Sequence, residues 1–339
     1  MSAVLIIAEA GVNHDGEFDR ALALVDAAAR AGADIVKFQA FRGRDLVAGG
    51  APTAAYQREK TGHDEQRAML ERLELSLDQL AGIAKHCRAR DMEFLCTAFD
   101  STMIAALTDM GMRRIKVASG ELDNLPALAH VAASGLPVLL STGMATLEEV
   151  RLAVETLRQG GAGDITLLHC TSLYPAPMES VNLRAMQTLR QHFNLPVGYS
   201  DHSLGDHVAV AAVALGASVI EKHLTLDHAL AGPDHAASLN PDEFAAMSAR
   251  LRATEVALGD GVKAPSPAEL EVAEVARKSW HAATDLAAGA LLAAGDVCLK
   301  RPATGLSAAQ SPIGHRLKIA RAADEPIREV DIMAVERSR

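Results

Sequence analysis

The segment VLIIAEAGVNHDGEFDRALALVDAAARAGADIVKFQAF, residues 4–41, contains one complete β-α-β unit. An apolar run at residues 4–11 precedes an amphipathic stretch at residues 18–33, and a second apolar run follows at residues 35–41. Short apolar runs predict buried strands, and an amphipathic stretch that stops near a glycine predicts a helix. The segment therefore predicts two neighbouring strands joined by a helix.

The same alternation recurs along the chain. Six further strand-like runs begin at residues 93, 114, 137, 165, 196 and 219, which makes eight in all. Eight β-α units over about 260 residues fit a (β/α)₈ TIM barrel, whose usual size is ~250 residues, better than an open doubly wound sheet. The predicted class is therefore α/β, with a barrel domain at residues 1–260.

Two segments interrupt this regular pattern. Residues 42–75 are too long for an ordinary loop, and they follow a strand on the face where barrels carry out chemistry, so they are interpreted as a partial lid. After the barrel, a Gly/Pro-containing linker at residues 261–279 leads into short segments with closely spaced turn signals. Residues 280–339 are therefore predicted to form a second, small domain.

Composition excludes several classes of protein. The net charge of −10 and the lack of a basic run interleaved with aromatic residues argue against nucleic-acid binding. No apolar run approaches ~20 residues and no basic segment precedes the first one, so we expect neither a membrane span nor a signal peptide, and a cytoplasmic location. Four scattered cysteines without C-x-x-C spacing predict reduced, mostly buried thiols.

Polar residues end every predicted strand. In a barrel these ends lie together on the C-terminal face, where active sites are built. The polar residues concerned are Glu9, Asn13, His14, Lys37, Gln39, Thr97, Asp100, Lys116, Ser119, Glu121, Ser141, Thr142, His169, Ser172, Tyr174, Ser200, Asp201, His202, Glu221, Lys222 and His223.

Two histidines can meet at this face. Alternation along a strand places Glu221 and His223 on one side of their strand, and likewise Ser200 and His202 on the neighbouring strand. Neutral imidazoles with water and oxygen partners suit a first-row divalent cation with open coordination positions. The alternative, that both histidines only form hydrogen bonds within the barrel, stays open at this point.

Two lysines lie inside otherwise apolar strands. An unpaired buried charge is costly, so Lys37 and Lys116 should each have a partner. An anionic ligand would serve, and salt bridges to Glu9 or Glu121 are the structural alternative. Nearby hydroxyl groups are typical of a phosphate or carboxylate cradle: Thr97, Ser119, Ser141 and Ser200.

These observations allow more than one class of function. A lysine in a barrel also suits a lysine-dependent, Schiff-base pyruvate aldolase. A noncatalytic sugar-binding protein is a third alternative. Neither a phosphate-binding G-x-x-x-x-G-K-[ST] loop nor a G-x-G-x-x-G fingerprint occurs, so nucleotide and NAD chemistry have no direct support.

Ordered motifs along the whole chain resemble the sialic acid synthase family. They are IIAEAGVNHDG, VKFQAF, ASGELDNLPAL, LLSTGMATLEEV, LLHCTSLYPAP, GYSDHSLG, IEKHLTLD, GPDHAASLNPDEF, ARKSW and KRPATGLS. Members of this family condense phosphoenolpyruvate with an N-acetylmannosamine-type sugar. The resemblance implies a (β/α)₈ barrel followed by an antifreeze-like (SAF) domain, the latter at residues 280–339.

The resemblance also implies roles for individual residues. His202 and His223 would bind Mn²⁺, with Mg²⁺ or Co²⁺ as alternatives, while Glu9 and Glu221 would handle protons and the attacking water. Phosphoenolpyruvate would contact Lys37, Thr97, Lys116, Ser119, Ser141, Ser172, Ser200 and His202. The amino-sugar would contact Gln39, Glu121, Tyr174 and Asp234. The protein would be a domain-swapped homodimer, in which Arg301 of one subunit reaches the sugar in the active site of the other.

The chain departs from the family pattern at a few positions. Cys96 and Ala98 stand in CTAF where the family usually shows Ser-Thr-Pro-Phe, and Ser172 and Ala303 also differ from the common residues. None of these changes removes an implied metal ligand. The motifs leave both sugar substrates open, N-acetylmannosamine and a 6-deoxy diacetamido relative such as the legionaminic acid precursor.

Overall fold

The computed structural model describes residues 3–53, 58, 62 and 64–334. The chain forms two compact units, with the boundary between Gly259 and Asp260.

The first unit contains a closed barrel of parallel strands in sequence order. The strands are β1 (Leu5–Gly11), β2 (Ile35–Ala40), β3 (Glu93–Ala98), β4 (Ile115–Val117), β5 (Val138–Ser141), β6 (Ile165–Cys170), β7 (Val197–Asp201) and β8 (Val219–His223). Strand β8 pairs with β1 and closes the barrel, with His223 opposite Glu9. The predicted (β/α)₈ barrel is therefore confirmed.

Helices follow the strands along the chain. They are α1 (Phe18–Arg30), α2 (Gly43–Leu46), α3 (Gln66–Glu71), α4 (Leu77–Arg88), α5 (Ser101–Asp109), α6 (Leu125–Ala133), α7 (Leu147–Gln159), α8 (Met178–Val181), α9 (Ala185–Phe193), α10 (His207–Ala214) and α11 (Pro241–Leu258). Local sequence sets several of these boundaries. Thr146 and Glu149 form a capping box at α7, and Asn240 and Glu243 form another at α11.

The barrel strands are apolar on both sides because the helices cover their outer face. The fully buried side chains include Ile6, Ile7, Ile35, Leu95 and Tyr199. Parallel strands covered in this way read as continuous apolar runs, which explains why the strands stand out in the sequence. The charged side chains in these strands depart from this apolar pattern, so a pairing or a function must account for each of them.

The segment at residues 42–75 contributes α2 and α3 and a second apolar cluster. Its Leu73 packs with Val12 and Phe41, apart from the main core. Residues 54–57, 59–61 and 63 of this segment lie outside the described residues. The interpretation as a lid stays a prediction.

The second unit has its own small core. It contains α12 (Pro267–Ala276) and two antiparallel pairs, β9 (Ser279–Ala282) with β10 (Val297–Lys300) and β11 (His315–Leu317) with β12 (Ile332–Ala334). The predicted linker at residues 261–279 thus includes a helix of 10 residues. The antifreeze-like identity of this unit stays a prediction.

Within the described part of the chain, no helix is long and apolar enough to cross a membrane. The four cysteines are free, and Cys87, Cys96 and Cys170 are buried, as their spacing predicted.

Candidate active site

A cavity of about 460 Å³ opens at the C-terminal ends of the barrel strands. Most of the predicted site residues line it: Glu9, Lys37, Gln39, Thr97, Lys116, Ser119, Ser141, Ser172, Tyr174, Ser200, His202, Glu221, His223 and Asp234. All eight strands or the loops that follow them contribute to this set.

Of the residues to which the resemblance assigns a role, Glu121 and Arg301 are not among those that line the cavity. Glu121 ends a short 3₁₀ helix, and its Oε2 accepts a hydrogen bond from Asn124 Nδ2 at 2.8 Å. Arg301 is exposed in the second unit. Their roles toward the sugar stay predictions.

Four buried charges alternate in sign across the cavity floor. Lys37 Nζ lies 2.8 Å from Glu9 Oε2 and 3.8 Å from Glu221 Oε2, and Lys116 Nζ lies 3.5 Å from Glu221 Oε1. The salt-bridge alternative named Glu9 correctly for Lys37, whereas Lys116 pairs with Glu221. We call Glu9, Lys37, Glu221 and Lys116 the charge row. Its two carboxylates and two ammonium groups give a net charge of zero.

The two carboxylates of the charge row differ in acidity. Burial raises the pKa of Glu221, but Lys116, Lys37 and the hydrogen bond from Ser200 outweigh it and bring this pKa to about 2. For Glu9, burial wins over the attraction of Lys37 and raises the pKa. Two carboxyl groups with pKa values pushed apart are typical of paired proton-handling roles.

The two lysines differ as well. Burial lowers the pKa of each ammonium group, but the charges of Glu221 and Glu9 reverse this for Lys37, whose pKa is raised. For Lys116 burial prevails, and its pKa is lowered. Lys37 forms ion pairs at 2.8 Å and 3.8 Å, whereas Lys116 forms the one at 3.5 Å, so Lys116 is the lysine with more capacity for an added anion.

The hydroxyl groups surround this charge row. Ser200 Oγ donates to Glu221 Oε1 at 2.8 Å, and Thr97 Oγ1 accepts from Lys37 Nζ at 3.2 Å. Ser119 Oγ accepts from the backbone N–H of Gly143 at 3.0 Å. Ser141 Oγ is buried and has no hydrogen-bond partner among the described residues, so it can donate to a ligand oxygen.

His202 and His223 meet at the rim of the cavity, with ring centroids 5.5 Å apart. Burial lowers the pKa of both imidazoles, which favours their neutral form. His202 Nδ1 donates to the carbonyl oxygen of Thr171 at 2.7 Å, which leaves the Nε2 lone pair available. His223 Nδ1 is also buried, and no residue within the described part of the chain forms a hydrogen bond with it. Two neutral imidazoles with available nitrogens suit an open-sided cation site.

No group of three or more His, Cys, Asp or Glu residues with metal-binding geometry occurs among the residues that the structure describes. Any cation held by His202 and His223 would therefore take its other ligands from water or substrate. Asp234 lies nearby, with Oδ2 3.8 Å from His223 Nδ1, and burial together with Glu9 raises its pKa to about 7.

Sequence reasoning missed an apolar side of the cavity. It is formed by Val12, Leu70, Leu73 and Phe99, which belong to one apolar cluster, together with the adjacent Met69. Met69, Leu70 and Leu73 come from the predicted lid segment, whose apolar residues were the available signal. The cavity can therefore hold a ligand with one charged end and one apolar side.

A buried ion pair beside the site was also missed. Lys222 Nζ lies 2.9 Å from Asp201 Oδ2, both side chains are 0% exposed, and Lys222 also donates to the carbonyl oxygen of Ser203. Lys222 lies between Glu221 and His223, so alternation turns it away from the cavity. Its position between two site residues was the feature of the sequence that could have indicated a buried lysine facing away from the cavity.

Fold and cavity together define a (β/α)₈-barrel protein with a charge-paired polar site at the strand ends, the usual place of a barrel active site. Residues 24–263 match the family model described as the NeuB family. The chain belongs to this family, as the resemblance to sialic acid synthases predicted.

Individual relatives agree over nearly the full length. The chain is 45% identical to the N,N'-diacetyllegionaminic acid synthase of Campylobacter jejuni, over 91% of this chain and 93% of that protein. It is 43% identical to the enzyme of the same name from Legionella pneumophila, over 93% and 90% of the two chains. The solved structure of an N-acetylneuraminic acid synthetase from Leptospira borgpetersenii superimposes with a TM-score of 0.73 at 34% identity, covering 80% of this chain and 90% of that one.

Proposed function

We propose that this protein condenses phosphoenolpyruvate with an open-chain amino-sugar of the N-acetylmannosamine type and releases phosphate by C–O cleavage. The charge row at the floor of the cavity is the observation that carries the proposal, because it offers both anion-binding lysines and paired carboxylates. The names of two relatives favour a 6-deoxy diacetamido sugar as the substrate.

Phosphoenolpyruvate would bind at Lys116 and the hydroxyl groups around it. Lys116 provides a positive charge, and the unpartnered hydroxyl of Ser141 provides a directional donor. Ser119, Ser172, Thr97, Ser200 and Lys37 line the same space. The amino-sugar would then lie toward Gln39, Tyr174 and Asp234, with its methyl groups on the apolar side.

A divalent cation fits His202 and His223, and we propose Mn²⁺, with Mg²⁺ or Co²⁺ as alternatives. Glu9 and Glu221 already balance Lys37 and Lys116, so phosphoenolpyruvate would bring uncompensated negative charge into the cavity. When bound, the cation would act as a Lewis acid on the aldehyde of the sugar.

The chain's own residues account for the remaining steps. C3 of phosphoenolpyruvate forms a bond to the aldehyde carbon as its C2–C3 π bond breaks, and the aldehyde oxygen takes a proton from solvent water. The charge of Glu221 stabilises the positive charge that develops at C2, and water then adds there. Glu9, held by Gln39 Nε2 at 3.0 Å, accepts the proton of that water before the C2–O bond to phosphate breaks.

Phosphate release tests the proposal. We expect the protein to release phosphate from phosphoenolpyruvate only with a sugar from a panel of amino-sugars, and ¹⁸O in the bridging position should appear in phosphate. Label in the sugar acid would contradict C–O cleavage. Borohydride trapping of a pyruvate adduct would instead support the Schiff-base aldolase, and sugar binding without turnover would support the noncatalytic alternative.

Removing either histidine should weaken metal binding and activity together. For His202→Ala and His223→Ala we expect a loss of Mn²⁺ affinity of at least ~10- to 100-fold, because even outer-shell changes at metal sites cost that much. Titration calorimetry measures the affinity, and circular dichroism checks the fold. His192→Ala, on the exposed face of α9, is the matched control. Full activity after EDTA treatment would refute the metal role.

We further propose that the protein is a domain-swapped homodimer in which Arg301 completes the partner's site. A planar guanidinium can grip an amide or hydroxyl oxygen of the sugar. The test is a purified heterodimer of one Arg301→Ala chain and one Glu9→Ala chain, each inactive as a homodimer. We expect about one working site per dimer, whereas an inactive heterodimer would show that Arg301 acts within its own chain or not at all.

A further inference from the structure

The loop that follows β8 brings Asp234 to the cavity, and buried side chains tie it to the loop that follows β1. Asn13, 1% exposed, donates through Nδ2 to the carbonyl oxygen of Leu224 and to Ser238 Oγ, each at 2.9 Å. Ser238 Oγ donates in turn to the carbonyl oxygen of Asp234 at 2.7 Å. The backbone of Asp234 is thus held by Ser238, which Asn13 holds in turn, while the second hydrogen bond of Asn13 holds the backbone of Leu224 at the start of the same loop.

His235 makes a second, independent connection. Its ring is fully buried, with Nδ1 2.7 Å from Thr225 Oγ1 and Nε2 3.1 Å and 3.2 Å from the two carboxylate oxygens of Asp15. Because a carboxylate oxygen can only accept a hydrogen bond, Nε2 of His235 is the donor to Asp15. Asp15 also forms an ion pair with Arg20. This chain of contacts links α1, the first loop and the last loop of the barrel.

The backbone around this contact is shaped to allow it. A Cβ atom at Gly232 would lie 2.7 Å from His235 Cδ2 and 2.8 Å from Asp15 Oδ1, so any other residue would push the two apart. Asp15 itself adopts a left-handed conformation, with φ at 51°. The absence of a side chain at Gly232 therefore allows the close contact between His235 and Asp15.

We propose that His235 and Asp15 are positioning residues that clamp the last loop so that Asp234 faces the sugar. The inference rests on the proposed function, because it assigns Asp234 to the sugar. His235 directly follows Asp234 and lies outside the cavity lining, so it acts through the backbone. A displacement of about 1 Å at a binding group can cost ~10²-fold in catalytic efficiency.

The test compares His235→Ala and Asp15→Asn with the wild type. For His235→Ala we expect KM for the sugar to rise ~10- to 100-fold, and for Asp15→Asn, whose amide oxygen can still accept from Nε2, we expect a smaller rise. Kd for phosphoenolpyruvate should stay within about twofold in both variants, because Lys116 and the hydroxyl groups around it are untouched. His235→Gln should recover part of the loss, since its amide can still donate to Asp15. Asp15→Asn serves as the second probe should His235→Ala fail to fold.

His228→Ala is the matched control. His228 lies on the same loop, with Nε2 2.9 Å from Glu243 Oε2 and Nδ1 3.4 Å from the carbonyl oxygen of His235, which is longer than a usual N–H···O hydrogen bond. Its side chain is 42% exposed and lies outside the cavity lining. We expect no change in KM for this variant. Unchanged KM for the sugar in folded His235→Ala and Asp15→Asn, or an equal rise in His228→Ala, would overturn the clamp.

Hydrogen exchange separates failure of the clamp from failure of the proposed function. The clamp predicts faster amide exchange across residues 226–238 in His235→Ala than in His228→Ala, whether or not a sugar is turned over. If the wild type turns over no sugar and exchange still accelerates, the proposed function is wrong and the clamp stands. If exchange is unchanged, the clamp is wrong.

Discussion

Replacing Lys222 with methionine is expected to lower the free energy of unfolding by about 3 to 5 kcal/mol, because it leaves the Asp201 carboxylate buried without its partner. Both side chains are fully buried. Ser203 satisfies only Asp201 Oδ1, through its N–H at 2.9 Å and its hydroxyl at 2.6 Å. Urea unfolding followed by circular dichroism measures the loss.

The double variant Asp201→Asn, Lys222→Met removes both charges and should recover a large part of this stability, since a buried pair replaced as a whole is often neutral. Lys85→Met, at an exposed position of α4, is the control for losing a lysine as such. A change of less than about 1 kcal/mol for Lys222→Met would mean that the ion pair contributes no more than a surface pair.

Replacing Glu221 with glutamine is expected to reduce kcat by ~10²- to 10⁴-fold, the usual range for a group that handles protons or stabilises developing charge. KM for phosphoenolpyruvate should not rise, because the change removes a negative charge from between Lys37 and Lys116 and leaves more positive charge for the anion. Steady-state kinetics with both substrates separates the two parameters.

Lys116→Ala should show the opposite pattern, with a raised KM for phosphoenolpyruvate, since its charge persists in binding and in the transition state. Glu179→Gln, at an exposed position of α8, should leave both parameters unchanged. If Glu221→Gln raises KM for phosphoenolpyruvate and leaves kcat intact, then Glu221 belongs to binding rather than to the chemistry.

The sequence by itself determined the barrel and most of the charged and polar residues that line its cavity. Buried parallel strands must be apolar throughout, so the eight runs stand out, and the polar residues at their ends must converge on one face. Glu9, Lys37, Lys116 and His223 were found in this way, without knowing which of them touch. The family motifs added Asp234, whose loop has no regular spacing.

Only the tertiary structure decided the pairings within that set. Lys116 on β4 pairs with Glu221 on β8, across a barrel interior whose closure no local pattern encodes. The ion pair of Lys222 with Asp201 depends on the register of β7 and β8, which sets these residues opposite each other; a shift by one residue would turn one side chain to the other face.

The contact between Asp15 and His235 is the clearest example of a pairing that the sequence alone does not reveal. Its partners are 220 positions apart in the sequence, on two irregular loops that become neighbours only when β8 pairs with β1. Local propensity acts over a few residues, whereas the energy of a buried contact depends on which surfaces the closed barrel brings together. The sequence therefore determined most of the polar groups at the mouth of the barrel, and the tertiary structure decided which of them form ion pairs and hydrogen bonds with one another.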